Sequence, residues 1–149
     1  MNQKTIIICR GLPSSGKTTW AKNWTSEDPE HRIRYNDDDI RNMLGKHHVP
    51  SRENIVNAVK SSVLSAAMNN GYDIVIDNIN LNVKDYETIP IRIANYERGW
   101  HEYNYVIEFR NFPTPLEECI KRDSLRPDAV GEEVIRNIYN KYKEDYSWL

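Results

Sequence analysis

The sequence predicts an α/β fold: a central parallel sheet of four to five strands with helices on both faces. Two observations predict it. Short apolar, β-branched runs alternate with amphipathic helical stretches along the whole chain, which is the pattern of strands joined by helical crossovers. The first of these runs opens into a glycine-bearing loop that leads straight into a helix. The length of 149 residues suits one domain with one core, read over residues 1–149.

Residues 4–10 are apolar and β-branched and read as a buried strand. A loop from Gly11 to Gly16 follows, and residues 17–25 read as a helix with Trp20, Ala21 and Trp24 at helical spacing. The two tryptophans are expected in the core rather than as stacking platforms. Residues 33–35 form a short second strand. Asp37 or Asp38 is expected to cap the segment 40–44, which Gly45 closes. Ser51 is expected to cap a longer helix that carries Ile55, Val56, Val59, Val63, Ala66 and Ala67 on one face and ends at Gly71. Residues 72–76 are the next buried strand, ending at Asp77. Residues 83–98 have helical character but contain Pro90, which lacks a donor, clashes with the preceding turn and should break or kink the helix. Residues 103–109 are another strand. Residues 115–125 are helical, with Leu116, Cys119 and Ile120 on one side. Gly131 or Glu132 begins a last helix holding Val134, Ile135, Ile138 and Tyr142, and Tyr139, Tyr142 and Tyr146 read as helix packing.

Composition limits the function classes. Apolar residues are 39% and charged residues 28%, as in soluble globular proteins. Twenty basic and 22 acidic side chains give a net charge of -2, which argues against a broad basic nucleic-acid surface but leaves room for a local basic channel. No apolar run approaches the ~20 residues that span a bilayer, and the start lacks the length of a signal peptide. The expected setting is therefore intracellular, in the cytoplasm, with no membrane partner. Cys9 and Cys119 form no CxxC pair and read as buried reduced thiols. His47 and His48 have no spaced partner for a zinc site and read as a solvated pair.

The chemistry begins at Gly11-Leu12-Pro13-Ser14-Ser15-Gly16-Lys17-Thr18, which fits GxxxxGK[ST] between a buried strand and a helix. Glycines let the backbone turn tightly and bring N–H groups to phosphate oxygens. The helix N-terminus adds a positive dipole end. This is a nucleotide-phosphate loop, with Gly11, Pro13, Ser14, Ser15, Gly16, Lys17, Thr18 and Thr19 as its ATP-binding residues. Lys17 should reach the β- and γ-phosphates, and the Thr18 hydroxyl should bind Mg²⁺. Asp77 ends a buried strand, so its carboxylate points into the ligand crevice. It reads as the second metal-side group, or as an ordinary turn aspartate. Asn36-Asp37-Asp38-Asp39-Ile40-Arg41 places three acids together. They are either an acidic helix cap or the seat of a general base. Arg41 lies three residues after Asp38, on the same helix face. Asp38 could then accept the proton of an acceptor hydroxyl while Arg41 holds a nearby phosphate. Arg122 and Arg126 share a face four residues apart, ahead of Pro127. They suit a lid over the donor phosphates, where guanidinium stabilises the charge spread in transfer. The alternative is a solvated basic face paired with Glu117 and Glu118. Lys46, Arg52 and Lys60 read either as a phosphate path or as scattered surface cations.

Taken together these segments resemble the polynucleotide 5′-hydroxyl kinases, in particular the kinase module of phage end-healing kinase–phosphatases, over nearly the whole chain. Gly11 to Ala21 resembles that family's loop and following helix, and residues 36–41 resemble its acceptor motif. The resemblance implies a P-loop kinase fold with an arginine-bearing lid. It also implies Asp38 as general base, Arg41 as acceptor-phosphate contact, and Arg122 and Arg126 on the donor phosphates. Residues 77–82 are similar to the family's D-N-T-N segment. Some members carry the carboxylate one place later, where this chain has Asn78, so the metal-side acid is Asp77 or its neighbour. Ile79 replaces a usual threonine, and Asp128 follows the lid's Arg-Pro. No DxDG-like motif follows an apolar strand, which implies a kinase without a phosphatase domain. The expected activity is transfer of the γ-phosphoryl of ATP, or another NTP, to 5′-hydroxyl DNA or RNA ends with Mg²⁺. The catalytic residues would be Asp38, Lys17 and Arg126. The alternatives are a P-loop kinase of a small metabolite or nucleotide, and a non-catalytic nucleotide-binding switch.

Overall fold

The computed structural model describes residues 2–45 and 48–149. The readings of Lys46 and His47 therefore lie outside the described residues. Four strands form one sheet: β1 (Asn2–Arg10), β2 (Arg32–Tyr35), β3 (Asp73–Ile76) and β4 (Tyr103–Asn111). All pairings are parallel and the order is β2-β3-β1-β4. β1 sits inside the sheet, with Ile6 beside Ile74 and Ile8 beside Ile76. β4 pairs along all of β1, from Asn2–Tyr103 to Arg10–Asn111, and ends the sheet on that side.

Parallel strands covered on both faces are apolar throughout, because successive side chains point to opposite sides. Ile6 and Ile8 enter a core with Tyr35, Leu64, Ile74, Ile76, Ile89 and Tyr105. This face is covered by α3 (Glu53–Asn69) and α4 (Ile89–Glu97). Ile7 and Cys9 point the other way, against Ala21, Trp20 and Trp24 of α1 (Lys17–Glu27) and Phe112. A third cluster joins Leu12 and Leu81 to Cys119 and Ile135, from α5 (Leu116–Ser124) and α6 (Glu132–Tyr142), with Tyr139, Tyr142 and Tyr146 packed around it. Both cysteines are buried and free, as expected.

Three local expectations are corrected and a fourth is borne out. α2 spans Asp37–Gly45, and its cap is Asn36, whose Oδ1 accepts from the Asp39 backbone N–H at 2.9 Å, not Asp37 or Asp38. The three acids fall inside the first turn, where the helix dipole favours them. Ser51 does not cap α3. A 3₁₀ turn, Pro50–Arg52, runs straight into that helix, so its entry needs no side-chain cap. The buried stripe of α3 runs through Val56, Leu64, Ala67 and Met68, and leaves Ile55 and Ala66 exposed. One helical step turns a side chain by about 100°, which takes Ile55 off the face that Val56 occupies. Pro90 marks a break in the stretch 83–98, as expected, and not a kink. Helical character over 83–98 splits into a 3₁₀ turn, Val83–Asp85, and α4, and Pro90 stands in the first turn of α4, where its missing N–H has no partner to lose.

Candidate active site

The carboxyl ends of β1, β2 and β3 open onto one crevice, the usual ligand position in such sheets. β1 runs out into the loop. Ser14 (φ 62°) and Gly16 (φ 102°) take left-handed backbone conformations that turn the loop into α1. The loop is pinned from both sides. The Gly11 N–H donates to Ile79 O at 3.1 Å, and Thr114 Oγ1 donates to Ser15 O at 2.8 Å. A Cβ on Gly11 would meet Ser15 Oγ and Phe112. Lys17, the first residue of α1, curls back over the loop. Its Nζ donates to Gly11 O (2.9 Å), Leu12 O (2.7 Å) and Ser15 Oγ (3.2 Å). Burial lowers its pKa to about 8, against the smaller opposing pull of Asp77.

Asp77 follows β3 and is 1% exposed. Its Oδ2 accepts from Arg34 Nε at 2.8 Å, and Arg34 Nη2 is ion-paired with the same oxygen at 2.8 Å. Arg34 stands on β2 with its neighbours Ile33 and Tyr35 turned into the core, and its Nη1 also reaches Asp39 at 2.5 Å. Asn36 Nδ2 donates to Asp77 O at 2.5 Å, and the Asp37 N–H donates to Asn78 Oδ1 at 3.0 Å. Asn80 (φ 50°) is buried and its Nδ2 donates to Cys9 O at 2.8 Å. Residues 77–80 thus tie the ends of β1, β2 and β3 to the start of α2. Arg34, Asn36, Asn78 and Asn80 carry roles that sequence reasoning missed. A cation between two apolar residues in a short strand was the available signal for Arg34.

The Asp38–Arg41 pair forms: Arg41 Nη1 donates to Asp38 Oδ1 at 2.7 Å. Glu53, at the start of α3, grips the same guanidinium through Nε (3.1 Å) and Nη2 (2.6 Å). Its hydrogen bonds to Arg41 hold the Glu53 carboxyl below its usual range. Asp38 itself is exposed to the cleft.

On the opposite side, Arg126 Nη1 donates to Ser14 Oγ at 3.1 Å and Nη2 pairs with Asp128 at 3.2 Å. Arg122 pairs with Glu118 at 3.1 Å, so part of the solvated-face alternative holds. Both arginines nevertheless line a cavity of about 370 Å³ against residues 14–19, Thr19 among them. The segment between α5 and α6 is anchored by Asp123, which is 2% exposed and accepts from the Val130 N–H (3.0 Å) and the Gly131 N–H (2.9 Å). A larger cleft of about 790 Å³ brings Pro13, Lys17, Thr18, Asp38, Arg41, Asp77 and Arg126 together. Among the described residues no cluster of three or more His, Cys, Asp or Glu could hold a metal alone. No described helix is long and apolar enough to cross a membrane.

A strand–loop–helix of this form, in a parallel sheet with basic residues converging on the loop, defines a P-loop domain of the kinase type. The chain belongs to the AAA domain family AAA_33, which it matches over residues 6–147. It is similar to an L-seryl-tRNA(Sec) kinase of Methanococcus maripaludis, at 26% identity over 154 residues, covering 96% of this chain and 55% of that protein. The chain thus spans about half the length of that curated relative. Among solved structures it is similar to a chain of the Pnkp1/Rnl/Hen1 RNA repair complex, with a TM-score of 0.77 and 23% identity, covering 98% of this chain and 47% of that one. It is also similar to the APS kinase CysC of Mycobacterium tuberculosis, solved with AMPPNP and APS, with a TM-score of 0.59 and 17% identity over 97% of this chain and 76% of that one. These two likenesses bear out the P-loop kinase fold.

Proposed function

We propose that the protein transfers the γ-phosphoryl group of ATP, or another NTP, to the 5′-hydroxyl end of DNA or RNA. The observation that carries this reading is the Asp38–Arg41 pair, joined at 2.7 Å and lining the same cleft as Lys17 and Arg126. A base and a phosphate-holding arginine side by side suit an acceptor that carries both a hydroxyl and a neighbouring phosphate. The resemblance of residues 36–41 to the polynucleotide kinase acceptor motif and the fold shared with the RNA repair chain support the same class.

In this mechanism the loop N–H groups and Lys17 hold the donor phosphates, and Arg122 and Arg126 cover them. Asp38 takes the proton of the acceptor hydroxyl. The acceptor oxygen bonds to the γ-phosphorus, the bond to the β-bridging oxygen breaks, and ADP leaves with that electron pair. Arg41 fixes the acceptor through its adjacent phosphate. Catalysis here is positioning and charge stabilisation. Mg²⁺ fits the donors present. Thr18 supplies a hydroxyl and Asp77 a carboxylate in one cleft, and Arg34 hydrogen-bonds only Oδ2 of Asp77 among the described residues. A small, hard cation that takes one or two protein oxygens plus phosphate suits such a set, and it would neutralise charge between the β- and γ-phosphates. The Asn78 amide is then the neighbour that braces α2.

The experiment is label transfer from γ-labelled ATP and Mg²⁺ to a 5′-hydroxyl oligonucleotide, with Asp38→Asn in parallel. Labelled product from wild type, lost in Asp38→Asn while ATP binding persists, is the expected result. Loss of ATP binding in the variant overturns the role given to Asp38. The match to a seryl-tRNA kinase favours a second acceptor class, a serine hydroxyl on tRNA. Label on seryl-tRNA with none on the oligonucleotide would shift the function to that class.

A further inference from the structure

The cleft continues past Arg41 to an end that the mechanism does not use. There α3 presents Glu53, Asn57, Lys60 and Ser61, and α4 presents Arg92. The spacing puts the four α3 residues along one side of the helix. From Glu53, which grips Arg41, to Ser61 is about 12 Å of helix. Arg92 Nη2 donates to Ser61 Oγ at 2.6 Å, while its Nε is buried with no hydrogen-bond partner. Ser61 Oγ accepts that bond, so its own hydrogen is free for another oxygen.

Charge distinguishes this end of the cleft. Arg34 and Arg41 each bind carboxylates, whereas Arg92 and Lys60 form no ion pair among the described residues. Asp85 also lines this end within the field of Lys60, but it forms no ion pair with Lys60 or Arg92 among the described residues. An arginine with a desolvated, unpartnered N–H and no counter-carboxylate is costly unless an anion completes it.

We propose that Lys60 and Arg92, with Ser61, bind a second backbone phosphate of a nucleic-acid acceptor, beyond the phosphate held by Arg41. The inference rests on the acceptor reading above and deepens it: the site takes a strand of several nucleotides rather than a single one. The polar side of α3 then acts as a track from the reacting end outward.

The test compares kcat/KM for two acceptors, a nucleoside 3′-phosphate and a 5′-hydroxyl hexanucleotide, in wild type, Arg92→Gln and Lys60→Gln. Circular dichroism and ATP binding check that each variant is folded. Wild type is expected to favour the hexanucleotide by roughly tenfold or more, and each variant to lose most of that preference, as removal of one charge-assisted contact implies. Each variant should also flatten the salt dependence of hexanucleotide binding by about one unit of log–log slope. Equal use of both acceptors by wild type, or equal losses on both in the variants, overturns the track and leaves the kinase reading standing. No label on either acceptor overturns both.

Discussion

Lys17 is held by three oxygens of its own loop, and burial brings its pKa from 10.5 down to about 8. The unfolded chain therefore binds more protons than the folded one between those values, and this group adds stability as pH rises through that window. Phosphate oxygens beside the ammonium would raise its pKa again. Binding of Mg²⁺ and ATP at about pH 8.5 is expected to take up a fraction of a proton. Calorimetry in buffers of different ionisation enthalpy measures that uptake, and Lys17→Arg, charged throughout, should lack it. Arg34 offers a second test. It is the partner of a carboxylate that is 1% exposed, and removing one member of such a pair leaves a buried uncompensated charge. Arg34→Ala should cost about 3 kcal/mol in urea unfolding, and adding Asp77→Asn should recover part of it.

At the scale of elements, the α5–α6 connection depends on one side chain. Asp123 accepts the Val130 and Gly131 N–H groups from a buried position and so holds the turn that carries Arg126 and Asp128. Asp123→Ala strands both donors and should lower stability by about 2–3 kcal/mol. Asp123→Ala should also weaken ATP binding more than its stability loss explains, which titration well below the melting temperature will show. The order of elements was legible because strand and helix periods differ and because apolar runs in β1 and β3 are continuous. The phosphate loop was legible because only certain residue types permit its backbone. Element ends were less so. Asn36 and Asp37 are equally good caps on paper, and the choice falls to Asn36 because its amide also reaches Asp77 O across 41 residues. Pro90 does mark a break in its helical stretch, but only the structure shows that the new helix starts one residue before it. The site was half legible. Asp38 and Arg41 meet as their spacing implies, but Glu53 and Arg34 reach the site from α3 and β2 through contacts that no local pattern encodes.

For the molecule as a whole, the sheet gathers three distant segments, residues 11–18, 36–41 and 122–128, around one cleft, with β1 and β3 as the inner strands. The opposite side of the sheet tells a different story. β4 is nine residues long, and no described strand pairs with its outer edge. Such an edge is a template on which a second chain can add a strand. Val106 and Phe109 are exposed there, and Glu108 and Arg110 interrupt them with charge; the Arg110 guanidinium also lies 4.2 Å from the Trp20 ring centre. Charges at such positions oppose edge-to-edge pairing. Replacing both, as Glu108→Val with Arg110→Val, should leave the cleft intact yet make the protein self-associate with rising concentration, as light scattering will record.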